Sequence, residues 1–457
     1  MNTRLLTCAL VLLTMSTASA QMGRRWPSEK KVVPDPVTGL PLTFLTSTDS
    51  GYKQSKIYQT HRQWTVDGKW LIFRGTRETG SQAFAVNEES GEIIQVTESG
   101  FAGMLCVGNR TMKLYVLTPG PPRARGGTGG AAPPVAAPVV AAPPRQILEI
   151  DLARLFADVA AGTVKTASHY QRVCGTIPPA LQVDGNMGLD ANDDSMYFRV
   201  AGPETAQLSP GQTLRPSFGP RFRQGTSGLR AMDLKTGEIK FIVNAGFTIG
   251  HVQTNPWVPG EIVFCWETGG KAPQRTWFIK ADGTGLRPLY PEAAYEWITH
   301  EAVIGKDEAV IAIIGHRPIA TATPESDWGI AGTMEHPTGV GIVNLRTREM
   351  RMVGQVPAWS EGRSDWHVAG SADGRWASTD DFQYRVWLID RHSGEVNMLA
   401  GSQKTGADHI HPTFNADGTK IEIQSALISK DERSLNICVV PVPQTWLKRT
   451  YSVRVPE

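Results

Sequence analysis

Val66-Asp67-Gly68-Lys69-Trp70-Leu71-Ile72-Phe73-Arg74-Gly75 is an Asp-Gly turn followed by a β-rich run, and the chain repeats this pattern twice more. The other copies are ADGRWASTDD from Ala372 and ADGTKIEIQSA from Ala416. Asp-Gly fits a tight turn because glycine accepts the left-handed backbone that the turn demands. A second strand-like run follows in several units: QAFAVN, RTWFIKA, RVWLIDR and LNICVVPV. Then comes a turn such as Glu89-Ser90-Gly91-Glu92, Lys235-Thr236-Gly237-Glu238 or His392-Ser393-Gly394-Glu395, and a last short strand, IIQVT, IKFIV or VNMLA. Short strands between Gly and Asp turns, at a period of roughly 40 residues or more, mark propeller blades. Seven units start near residues 61, 101, 183, 251, 299, 367 and 409. The expectation is an all-β fold, a seven-bladed β-propeller. Residues 21–457 then form one domain, with 21–60 helping to close the ring.

The chain has 457 residues, 40% apolar and 20% charged, so a large core is possible. A net charge of +2 argues against a protein that coats nucleic acid. One early arginine, the apolar stretch LLTCALVLLTM and Ala18-Ser19-Ala20 match a signal peptide over residues 1–20. Export to the periplasm or outside the cell is expected. No later stretch is apolar enough to span a membrane as a helix. Cys106, Cys174, Cys265 and Cys438 show no CxxC spacing and read as buried free thiols. Pro119–Arg145 is rich in Pro, Ala and Gly and reads as a disordered insertion between two strands. Only LARLFADVAAG, from Leu152, reads as helix.

The repeat gives the histidines a location. His61, His367 and His411 each stand six residues before the turn aspartates Asp67, Asp373 and Asp417, and His300 stands seven before Asp307. Equal offsets mean equivalent places on different blades, at the start of the innermost strand. His251 and His409 also open blades. These starts ring one mouth of the central channel, so the imidazoles converge there. Such a cluster suits a transition-metal site or proton transfer near neutral pH. His169, His316, His336 and His392 fall off the pattern and read as surface residues. The chain has no GxSxG, P-loop or dinucleotide fingerprint.

The ordered motifs GHVQTNPWVPGEIVFCWETGG, EWITHEAV, GVGIVNLRT, SADGRW after His367, and HIHPTF with IQSA resemble the oligogalacturonate lyases. The resemblance runs from about residue 50 to 447 and is strongest over 250–430. It implies a seven-bladed propeller carrying Mn²⁺ near the channel mouth. It also implies β-elimination on short galacturonate oligomers to give 4,5-unsaturated uronates. Residue by residue, it implies His251 as the base and His300, His409 and His411 as metal ligands. It adds a glutamine ligand, for which Gln403 is the candidate, with Asp408 and His367 as chemical substitutes. It further implies an arginine beside the base, with Arg223 chosen over Arg221 and Arg230. Trp257, Trp266 and Trp297 lie near these motifs and read mainly as packing residues. Asp380 and Asp381 read either as groups orienting imidazoles or as turn residues. Two alternatives stay open: a lyase on another uronate oligomer, such as rhamnogalacturonan fragments, and a non-catalytic periplasmic binding propeller of the TolB kind.

Overall fold

A computed structural model describes residues 21–77, 80–120, 144–215, 225–268, 272–293, 296–316, 338–356, 365–406 and 408–451. The segment 1–20 and most of the Pro/Ala-rich insertion lie outside these residues.

The three Asp-Gly turns fold alike. In each, the glycine N–H donates three residues back, and the residue before the turn donates to the carbonyl opening the next strand. The pairs are Gly68 to Thr65, Gly374 to Ser371 and Gly418 to Asn415, with Thr65 to Trp70, Ser371 to Trp376 and Asn415 to Lys420. Gly68, Gly374 and Gly418 have φ of 70°, 76° and 68°, the left-handed region where a Cβ is penalised. The turn aspartate accepts from the following backbone N–H, as Asp67 does from Lys69 at 3.1 Å.

These turns link antiparallel strands into seven sheets arranged as a ring of blades, five of four strands and two of five. The innermost strands are Lys53–Lys56, Ala102–Val107, Gln182–Leu189, Ile249–Thr254, Glu296–Gly305, Asp365–Gly370 and Thr413–Phe414, in blades one to seven. Blade one therefore opens at Lys53, earlier than the repeat suggested. The chain ends close the ring: Pro41–Phe44 pairs with Asn436–Pro441, and Lys31–Pro34 adds the outer edge of blade seven. Arg25–Trp26 adds the outer edge of blade one. Pairing the first strands with the last lets a closed ring resist opening at any single blade.

Apolar faces pack blade against blade. Leu42, Phe44, Trp376, Leu388, Ile421 and Cys438 form one such core across blades six and seven. The helix Leu152–Ala161 forms where the sequence placed it, capped by Asp151 and ended by Gly162 at φ 68°. Its Phe156 stacks on Trp70 at 4.3 Å. Cys106, Cys174, Cys265 and Cys438 are free and buried. Among the described residues no helix is long and apolar enough to cross a membrane.

Candidate metal and proton-transfer site

The inner strands do not run in perfect register, and the histidines sit where they slip. Register shifts fall between Gly250 and Gln253, Ile298 and His300, and Asp365 and Val368. A bulge re-aims a side chain out of the strict alternation, and these turn His251, His300 and His367 toward one another. His251 and His411 also have positive φ, 46° and 57°. A non-glycine residue there costs about 1–3 kcal/mol, a cost the surrounding contacts must offset.

Five imidazoles from blades four to seven gather. Ring centroids are 5.5 Å apart for His251–His300, 4.1 Å for His300–His367, 4.0 Å for His367–His411, 5.1 Å for His367–His409 and 6.4 Å for His409–His411. Tyr58 packs against this group, 5.1 Å from both His251 and His411. His61 does not join it. The inner strand of blade one ends at Lys56, a turn follows from Tyr58 to His61, and Tyr58 takes the channel-facing place. His61 instead lies 2.7 Å from the Met187 carbonyl. With Trp257 it lines a different cavity, of about 420 Å³, whose walls include none of the five.

The surroundings keep most of these rings neutral. Burial, then repulsion from neighbouring rings, holds His300 and His367 well below the usual histidine range. Burial lowers His411 to about 3, against the pull of Asp380. Ring orientation is fixed from outside the cluster. His300 Nδ1 donates to the Trp366 carbonyl at 2.8 Å, which leaves Nε2 bare. His367 Nδ1 lies 3.0 Å from Asp380 Oδ2. That carboxylate also accepts the N–H of Ile410 and of His411, each at 3.1 Å. Asp380 is thus the orienting group. Asp381 binds Trp387 Nε1 and the Arg385 guanidinium, so its role is in the turn. Buried, neutral imidazoles such as His300, His367 and His411 are donors a divalent transition metal takes, since ligands must be deprotonated to bind. Ring contacts bring His300, His367, His409 and His411 together, while among the described residues the group whose ligand atoms all lie within 4.8 Å of one another is His251, Cys265 and Glu267.

Gln403 is not part of this group. Its amide donates to Asp35 Oδ2 and the Gly401 carbonyl, both at 2.9 Å, and its Oε1 accepts from Ser425 at 2.8 Å. Its polar atoms are spent on holding the N-terminal strap to blade seven. Of the two substitutes, His367 sits at the centre of the cluster. Asp408 stands at its edge, its Oδ1 3.9 Å from His411 Nε2. The glutamine beside the histidine pair is Gln424, whose Nε2 lies 3.0 Å from His411 Nδ1.

His251 has its own set of partners. Glu301 Oε1 lies 3.1 Å from Nδ1, and Tyr58 Oη lies 3.3 Å from Nε2. Glu267 Oε2 is 3.7 Å from Nε2. Burial disfavours charge on this ring, but Cys265 and Glu301 outweigh it and raise His251 well above the usual value. A cation on the adjoining imidazoles would push the other way. Arg221 and Arg223 lie outside the described residues. Arg230 is a packing residue, over Phe241 and bonded to Asn244 at 3.0 Å. The guanidinium beside the base is Arg275, buried and 3.6 Å from Glu267. Cys265, Glu267 and Glu301 keep it charged against the pull of burial. Trp266 and Trp297 are buried, whereas Trp257 is 40% exposed.

Two solved structures share this architecture over nearly the whole chain. One, an oligogalacturonate lyase in complex with manganese, superposes with a TM-score of 0.69 at 18% identity, covering 94% of this chain and 100% of that one. The other, an oligogalacturonate lyase from Vibrio parahaemolyticus, has a TM-score of 0.69 at 17% identity, covering 93% and 100%. This chain shares the fold of oligogalacturonate lyases. No protein-family model and no curated protein matches the sequence.

Proposed function

We propose that this protein is an exported, metal-dependent lyase that cleaves oligogalacturonides by β-elimination. The observation that carries the reading is the pairing of two sites. Four imidazoles suited to a cation adjoin a fifth, His251, whose Nδ1 is bound to a buried carboxylate. The fold shared with the two lyases supports it, and the signal-like residues 1–20 support export.

The chemistry follows from the substrate. The C5 proton of a uronate is α to a carboxylate and only weakly acidic, because removing it adds charge to a group already negative. A divalent ion such as Mn²⁺, when bound, supplies positive charge to the carboxylate. His300, His367, His409 and His411 would hold it. His251 Nε2 accepts the C5 proton. The C4–C5 double bond forms as the C4–O4 bond breaks, and the departing oxygen is protonated from solvent. Arg275 balances the carboxylates of Glu267 and Glu301 beside the base.

The test is ultraviolet absorbance from the unsaturated uronate during incubation with di- and trigalacturonate. Absorbance should rise with Mn²⁺, stop with a chelator, and vanish in His409→Ala. A flat trace with every uronate oligomer would end the lyase reading.

A further inference from the structure

Blade five carries His300 and Glu301 as consecutive residues. His300 faces the imidazole cluster, while Glu301 reaches across to blade four. Glu301 is 0% exposed and its Oε1 stands 3.1 Å from His251 Nδ1. Its Oε2 is buried and has no hydrogen-bond partner among the described residues. The contact is braced on both sides. Gln253, two residues beyond His251, donates its amide to the Glu301 carbonyl at 3.2 Å and accepts the Val303 N–H at 2.9 Å. On the side away from Glu301, Nε2 faces Tyr58 Oη at 3.3 Å and Glu267 at 3.7 Å, and Cys265 also lies against the ring.

A carboxylate accepts hydrogen bonds and cannot donate them. Beside Nδ1 it therefore selects the tautomer with Nδ1–H and a bare Nε2. Burying a carboxylate with one oxygen unmatched is costly, and the left-handed backbone of His251 adds strain. Both costs are offset only if the contact between these two side chains is kept.

We propose that Glu301 is a positioning residue for the proposed base. It accepts the Nδ1–H of His251, keeps Nε2 free for the C5 proton, and ties the base to the strand that carries His300. The inference rests on the lyase reading for its catalytic consequence, and on geometry alone for the tautomer.

Glu301→Gln keeps the shape but brings an amide that can donate to Nδ1, favouring the tautomer with Nε2–H. For this substitution kcat should fall by about 10²–10⁴-fold, as when a histidine base loses its orienting carboxylate. KM and Mn²⁺ affinity should stay within about twofold. A group that served only packing would instead lower the melting temperature and leave kcat per folded molecule unchanged. The second measurement does not need Glu301→Gln to fold. Long-range ¹⁵N–¹H spectra of histidine-labelled metal-free protein, recorded at a pH high enough for the His251 ring to be neutral and with His251 assigned by loss of its signals in His251→Gln, should show protonated Nδ1 and bare Nε2. Protonated Nε2 in the neutral ring, or an unchanged kcat in folded Glu301→Gln, overturns the proposal. If wild-type protein cleaves no uronate oligomer, the functional reading fails, and the spectra still decide what Glu301 does.

Discussion

Asp380 Oδ2 accepts from three groups on two blades: His367 Nδ1 at 3.0 Å and the N–H groups of Ile410 and His411 at 3.1 Å. Its Oδ1 takes the His367 N–H at 2.7 Å. One buried carboxylate thus sets the ring of His367 and the left-handed backbone of His411 together. Replacing such an outer partner weakens metal binding about 10–100-fold. Asp380→Asn should lower Mn²⁺ affinity by that factor, measured by calorimetric titration of metal-free protein. An unchanged affinity would remove Asp380 from the site.

The depressed histidines make stability depend on pH in a defined direction. An unfolded histidine takes a proton near 6.5, whereas folded His411 resists until about 3. Between those values the unfolded state binds the extra proton, so stability falls as pH drops, by about 1.4 kcal/mol per pH unit for this ring. Buried Glu292, raised by burial to about 8, contributes the opposite slope below its folded value, so the total does not isolate one group. The comparison that does is wild type against His411→Gln, both with chelator. The difference in unfolding free energy between pH 6.5 and pH 4.5 should shrink in the variant by about 2–3 kcal/mol. Parallel curves would show that His411 titrates normally in the folded protein.

Ring closure and the site share a lysine. Lys56 Nζ, on blade one, donates to the His411 carbonyl at 2.6 Å and to Thr413 Oγ1 at 2.7 Å, 3.6 Å from Glu422. The side chains of Lys56 and Glu422 are 0% exposed. Removing one partner of a buried pair costs about 3–5 kcal/mol because the other charge is stranded. Lys56→Met should destabilise by that amount in denaturant unfolding, and adding Glu422→Gln should recover part of it. A double variant no better than Lys56→Met would mean that Glu422 is not the stranded group.

The blades were legible because each Asp-Gly turn imposes a local backbone requirement that one residue type meets. The convergence of His300, His367 and His411 followed from counting back from turn aspartates, and that of His251 and His409 from their places at blade starts. His61 obeyed the same count and still went elsewhere, because a turn after Lys56 ends the inner strand of blade one early. The pairing of residues 41–44 with 436–441 has no local signature. Glu301, Lys56 and Arg275 were missed for a related reason, and Asp380 was named only as one of two alternatives. Each works across a blade boundary or a long loop, on partners that only the closed ring brings near. Glu301 did carry a hint, since it follows His300 in the THE motif, but spacing alone could not pair it with a residue 50 positions earlier.

Gln403 shows how proximity in sequence misleads. It precedes His409 by six residues, yet its amide ties Asp35 and Gly401 to Ser425. Asp35 also accepts the Gly401 N–H at 3.0 Å, so the strap depends on this buried group. Gln403→Ala removes one partner each from Asp35 and Ser425, which keep the Gly401 N–H and the Gln403 carbonyl, so the loss is about 1–2 kcal/mol. The variant should therefore unfold earlier in denaturant while binding Mn²⁺ as wild type does. His367→Ala should do the reverse, losing the ion with a smaller loss of stability. If Gln403→Ala instead released the ion and kept its stability, the glutamine would have to turn inward on binding, and His367 would lose its place among the proposed ligands.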